Sequence, residues 1–197
     1  LGVLSARDFG FITSREARER LERSLLALEK LAKHEGHLLT EYETTTLRPL
    51  EPQYISTVDS GNLAGHLVAI ASACEVWAEA PAANIQGDYE GIIDTASVLE
   101  ASLTAMPDDR RALRPLRQRL IERIAGMRRA VDVIRDAPET AAIRTINLTV
   151  LAGDIRRLVR ALDDEIASDA SNELLVWAGR LEKTCEAYLA DAHTEET

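Results

Sequence analysis

Cysteine is nearly absent, with only Cys74 and Cys185 among 197 residues, and aromatic residues make up just 4%. Two cysteines 111 positions apart, neither in a CxxC spacing, exclude a disulfide framework and a cysteine-based zinc site. Each lies inside an apolar helical pattern, so both are expected to be buried thiols in a reducing compartment. The scarcity of aromatics, with 10 glycines and 6 prolines, removes the residues that strands and their many turns need, while Leu, Ala, Glu and Arg favour helices. Basic residues are also in deficit. With 23 Lys and Arg against 33 Asp and Glu, the net charge is -10, which excludes a nucleic-acid partner, since phosphate binding needs a basic excess. The longest apolar run, Leu63 to Ala78, is broken by His66 and Glu75 and falls short of the ~20 residues that a membrane span requires. No signal-peptide pattern opens the chain. Nucleophile-elbow, Walker and GxGxxG motifs are missing. His34, His37, His66 and His193 lack metal-ligand spacing, so neither a metal nor a cofactor is implied.

What is present reads as all-α: a helical bundle, or part of an (α/α)6 toroid, of about seven helices with one long polar loop or short β-hairpin near 37–56. A single helical domain is expected over 1–193, with 194–197 a frayed tail. A chain of this length can bury roughly 70% of its unfolded surface, enough for a core. Leu1 to Asp8 reads as the end of a helix stopped by Gly10. The lack of an initiator Met and the missing start of this helix suggest a piece of a longer protein. Thr13 with Glu16 forms a capping box for a helix bearing Ala17, Leu21, Leu25, Leu28 and Ala32, ended by Gly36. Between His37 and Pro52 helical periodicity vanishes. Asp59 or Ser60 then caps a helix running from about Gly61 to Glu79, whose small residues suit an inner position. Further helices run from Tyr89 to about Ala105, from Asp108 or Asp109 to about Asp136, and from Pro138 through Ile166. In the last of these, Ile143, Ile146, Val150, Leu151, Ile155, Leu158, Leu162 and Ile166 are expected inward. Asp169 or Ser171 caps the final helix.

Two features invite a function. The helix from about 110 to 135 carries nine arginines. They read either as a solvated face paired with Asp108, Asp109, Glu122 and Asp132, or as a surface that docks an acidic neighbour. The second feature is the polar, Thr-rich, Pro-bounded stretch that feeds through Tyr54 into Asp59-Ser60-Gly61-Asn62. Polar groups at a helix N-terminus can form a hydrogen-bonding site for sugar hydroxyls, with an aromatic ring to stack on. The same residues can equally well be a helix cap and a satisfied turn.

The runs HEGHLLTEYETTTLRPLEPQYISTVDSGNLAGHLVAI, QGDYEGIIDT, DDRRALRPLRQRL and IRTINLTVLAGDIR resemble the middle, glucoamylase-like region of the bacterial cyclic β-1,2-glucan synthases. The resemblance covers nearly the whole chain and is most distinctive at STVDSGNLAGH. It implies a segment of a large membrane-embedded glycosyltransferase whose middle region cyclises β-1,2-glucan by transglycosylation. Its partners would be the glucan chain and other domains of the parent polypeptide, on the cytoplasmic side of the inner membrane. Glu41, Thr45 and Glu43 stand where the family pattern has Trp, Arg and Asp, so this copy lacks one aromatic platform and one fixed cation. Direct retaining transglycosylation needs two carboxyls about 5 Å apart, and the resemblance implies that this pair lies beyond residue 197. Catalytic residues are therefore not assigned within the chain. Tyr42, Glu43, Tyr54, Asp59, Ser60, Asn62, His66, Asp88 and Tyr89 are expected to contact glucan or shape its site, and the segment alone is expected to be inactive. The alternative is a structural or docking module without sugar contact.

Overall fold

A computed structural model describes residues 1–79, 89–106, 111–136 and 141–194, with the side chains of 141–144 and 193–194 left aside. Among the described residues, seven α-helices and one two-stranded hairpin meet the all-α expectation. They are α1 Gly2–Asp8, α2 Ser14–Lys30, β1 Lys33–His34, β2 His37–Leu38, α3 Thr57–Glu79, α4 Glu90–Ala105, α5 Arg114–Asp136, α6 Ala141–Ile166 and α7 Asp169–Thr194, with a 3-10 turn at Arg111–Leu113 before α5. The chain divides into two compact units: Leu1–Ser5 with Arg15–Pro81, and Ala6–Ser14 with Ala82–Thr197.

The second unit is a four-helix bundle. Helix α4 neighbours α5 and α7, and α6 also neighbours α5 and α7, so the ring closes on itself. Ion pairs show that successive helices run antiparallel. Arg135, in the last turn of α5, meets Glu90 in the first turn of α4, and Arg128 reaches Glu100 at 2.7 Å. The Arg117 guanidinium donates to the carbonyls of Leu103 and Met106 at 2.8 and 2.9 Å, satisfying the open C-terminal end of α4. Arg123 pairs with Asp154 of α6 at 3.6 Å, and Arg156 of α6 pairs with Glu182 of α7. The arginines of α5 are thus spent largely on neighbouring helices of the bundle. Of the acids expected to pair with them, Asp132 does so through Arg135 at 4.0 Å. Glu122 accepts from Gln118, while Asp108 and Asp109 lie outside the described residues.

The bundle core follows the apolar spacing in α4, α5 and α7. Ile92, Ala96, Leu99 and Leu103, then Leu120, Ile124, Met127, Val131 and Ile134, then Leu174, Ala178, Leu181, Cys185 and Tyr188 are all buried. Helix α6 corrects the sequence reading in part: Ile155 and Leu162 are buried as expected and Leu151, Leu158 and Ile166 pack against the core, while the side chain of Ile143 lies outside the described residues. Its inward stripe is Leu148, Ala152, Ile155, Val159 and Leu162, whereas Ile146 and Val150 are 44% and 58% exposed. Both sets step by threes and fours, and the contacts with α5 and α7 decide that Leu148, Ala152 and Val159 complete the buried stripe. The cap of α7 is Ser168, where Asp169 or Ser171 was expected. Ser168 Oγ accepts from Ser171 N at 3.2 Å while Ser171 Oγ accepts from Ser168 N at 2.9 Å, a reciprocal capping box.

Gly10 stops α1 as its position suggests. Its φ is +71°, Phe11 N donates to Ala6 C=O at 2.8 Å and Gly10 N to Arg7 C=O at 2.9 Å, the Schellman pattern. That turn lies against the start of α4 so closely that a Cβ on Gly91 would sit 2.3 Å from the Gly10 carbonyl oxygen. The buried Tyr188 hydroxyl donates to the same carbonyl at 3.2 Å, and its ring lies 4.8 Å from that of Tyr89.

In the first unit, α2 ends earlier than Gly36. The Lys33 ammonium donates to the carbonyls of Leu28, Glu29 and Leu31 at 2.8 to 3.1 Å, closing the helix with a cation at its negative end. Glu35 and Gly36, with φ of +48° and +86°, then form the two-residue turn between β1 and β2, which pair antiparallel with Lys33 opposite Leu38. Only Ala17 and Leu21 of the apolar stripe of α2 are buried. Helix α3 is not the inner helix its small residues suggest. None of its 23 residues is buried, and Val58, Val68 and Val76 are 63 to 70% exposed. The space beside Gly61 and Gly65 is open.

Two outcomes follow from these placements. Leu148→Ala is expected to cost about 2–5 kcal/mol in denaturant unfolding followed by helical circular dichroism, and Val150→Ala less than about 0.5 kcal/mol; equal losses would refute the assigned phase of α6. The cysteines differ as well, since Cys185 is buried and Cys74, against expectation, is exposed. Burial pushes the Cys185 thiol up to about 12, with Glu186 and Glu182 adding to the shift, so it stays a protonated thiol across the neutral range. A thiol reagent near neutral pH should modify Cys74 in the native protein and Cys185 only after unfolding; native labelling of both would contradict this packing.

Candidate functional site

The expected site residues of the first unit gather along the segment from β2 to the opening turns of α3, where side-chain hydrogen bonds replace the missing helical ladder. The Tyr42 hydroxyl accepts from Leu39 N at 2.7 Å and donates to Ala32 C=O at 2.6 Å. It therefore ties the loop to the chain after α2. Thr40 donates from both N and Oγ1 to the Tyr54 carbonyl, at 3.0 and 2.8 Å. Between these anchors, Tyr42 and Pro49 form an antiparallel bridge, and Leu50 N donates to Glu41 C=O at 3.1 Å. At the tip Glu43 N donates to Arg48 C=O at 2.9 Å, and the Glu43 carboxylate accepts from the Thr46 hydroxyl.

The cap of α3 is Ser56, three positions before Asp59 and four before Ser60, the two residues expected to play that part. Its Oγ accepts from Asp59 N at 3.1 Å, which puts Asp59 in the first turn, where a carboxylate meets the positive end of the helix. The sequence signal was present, since Ser56 followed three residues later by Asp59 is a capping pattern read one turn too late. Ser60 donates its hydroxyl to Ser56 C=O at 2.9 Å, and His37 Nδ1 lies 3.1 Å from Ser60 Oγ. Because the one hydroxyl proton of Ser60 goes to Ser56, the His37 contact assigns the proton to Nδ1. His37 fastens the hairpin to α3, a role its sequence position did not reveal.

Beyond this cap, Asp59, Asn62 and His66 fall at i, i+3 and i+7 and share one helix face. All three are exposed, as are Glu43 and Tyr54, the latter with 54% of its surface open. The arrangement is an open row of carboxylate, amide and imidazole rising from a polar loop with a tyrosine ring nearby in sequence. Such a row can hydrogen-bond a polyhydroxylated ligand. Among the described residues it does not bring carboxylates together: Glu43 is held by Thr46, Asp59 heads α3, and Glu90 belongs to the second unit, paired with Arg135. Among the described residues no group of three His, Cys, Asp or Glu could hold a metal ion.

Two expected site residues remain. Asp88 falls outside the described residues. Tyr89 belongs to the second unit, where it is 5% exposed with its ring against Tyr188, so its side chain serves the bundle core. No helix among the described residues is long and apolar enough to cross a membrane.

Replacing Ser56 with Ala tests the cap. It should cost about 1 kcal/mol of first-unit stability, visible as faster amide hydrogen exchange at Val58 and Asp59, whereas Ser60→Ala should spare Asp59 exchange. An unchanged Ser56→Ala protein would show that the first turn of α3 is satisfied by other groups.

No family model matches this sequence. Over 191 residues the chain is 48% identical to the cyclic beta-(1,2)-glucan synthase NdvB of Rhizobium meliloti (strain 1021), an alignment that covers 97% of this chain. The chain spans 7% of the length of that relative.

Proposed function

The chain belongs with the cyclic β-1,2-glucan synthases as the counterpart of one segment of them, and on that premise we propose that it contributes a glucan-contacting surface to the cyclisation region of such a synthase. The identity along nearly the full chain carries this reading. The exposed row of Asp59, Asn62 and His66, with Tyr54 and Glu43 in the loop before it, supports it chemically. Hydroxyl-rich ligands need such acceptors and donors, and a tyrosine ring offers a face for the apolar side of a pyranose. In this reading Tyr42 and Ser60 shape the site through their hydrogen bonds rather than touching sugar. The segment is inactive alone, because retaining transglycosylation needs a nucleophilic carboxylate and a protonated partner about 5 Å apart, a pair supplied by other parts of the synthase. Its place would be on the cytoplasmic side of the bacterial inner membrane, carried by an integral membrane parent.

Titrating the isolated chain with linear β-1,2-glucan is expected to shift the amide resonances of Tyr54, Asp59, Asn62 and His66 while leaving Tyr188 and the bundle core unmoved. It should release neither cyclic nor shortened glucan. Silence along the whole loop would overturn the contact, and any product would overturn the claim of inactivity. In the full-length synthase, Asp59→Ala should lower turnover at least about tenfold, about 1.4 kcal/mol; unchanged kinetics would reduce Asp59 to its part in the helix start.

A second reading, a docking module for the rest of the polypeptide, is favoured by the exposure of α3. The arginines of α5 are largely engaged inside the bundle, so the surface that supports docking is the valine and glycine face of α3. Apolar surface of this kind associates when nothing covers it. The isolated chain should therefore self-associate in sedimentation at rising concentration, and the pair Val68→Glu and Val76→Glu should abolish that. A chain monomeric at all concentrations would count against this reading.

A further inference from the structure

We draw no further inference here: the strongest candidate, the exposed face of α3 around Gly61, Gly65 and Val68, belongs to the docking reading already given, and nothing in the structure shows what covers it.

Discussion

Apolar stripes on helices must face one another or face water, and the two units meet that requirement differently. In the bundle, α4, α5, α6 and α7 each turn a stripe toward a common axis, and the ring closes because α4 touches α7 as well as α5. Burying such side chains is worth roughly 1.5–3 kcal/mol each, which allows α6 to leave Ile146 and Val150 in water and still be held. The first unit has no comparable seam. Its two longer helices bury only Ala17 and Leu21 between them, so its local form rests more on caps, turns and loop hydrogen bonds.

Charge follows the same division. In the bundle, arginine serves as a connector across helices: Arg128 and Arg135 to α4, Arg123 to α6, Arg156 to α7, and Arg117 to the carbonyls at the end of α4. A planar guanidinium with five donors suits both tasks. Exposed pairs of this kind add little energy individually, but they help fix which helices are neighbours. In the first unit Lys33 does similar work on a smaller scale, ending α2 by gathering three carbonyls.

The loop before α3 is mostly scaffold. Tyr42, Thr40, Ser56 and His37 spend their polar groups on holding the chain in place, and this leaves Glu43, Tyr54, Asp59, Asn62 and His66 turned outward. Rigid support behind an exposed polar row is what a binding surface requires, since each ordered side chain otherwise loses entropy when a ligand arrives.

The amino-acid sequence by itself determined the helical class, the stop at Gly10, the apolar spacing of α4, α5 and α7, and the kinship with the glucan synthases. Each of these depends on local periodicity, on backbone freedom at a single residue, or on residue identity. Tertiary structure decided what local patterns left equal. Helix α6 carries two apolar stripes, and only its neighbours select Leu148, Ala152 and Val159 over Ile146 and Val150. Gly36 was expected to end α2, and it instead turns the hairpin between β1 and β2. Small residues along α3 permit close approach but do not supply a partner, so burial there could not be read from the sequence. Tyr89 was expected to contact glucan or shape its site, and its ring packs against Tyr188 in the bundle core. For α6 and Tyr89 the deciding contact comes from a helix distant in sequence, where composition and local spacing carry no information.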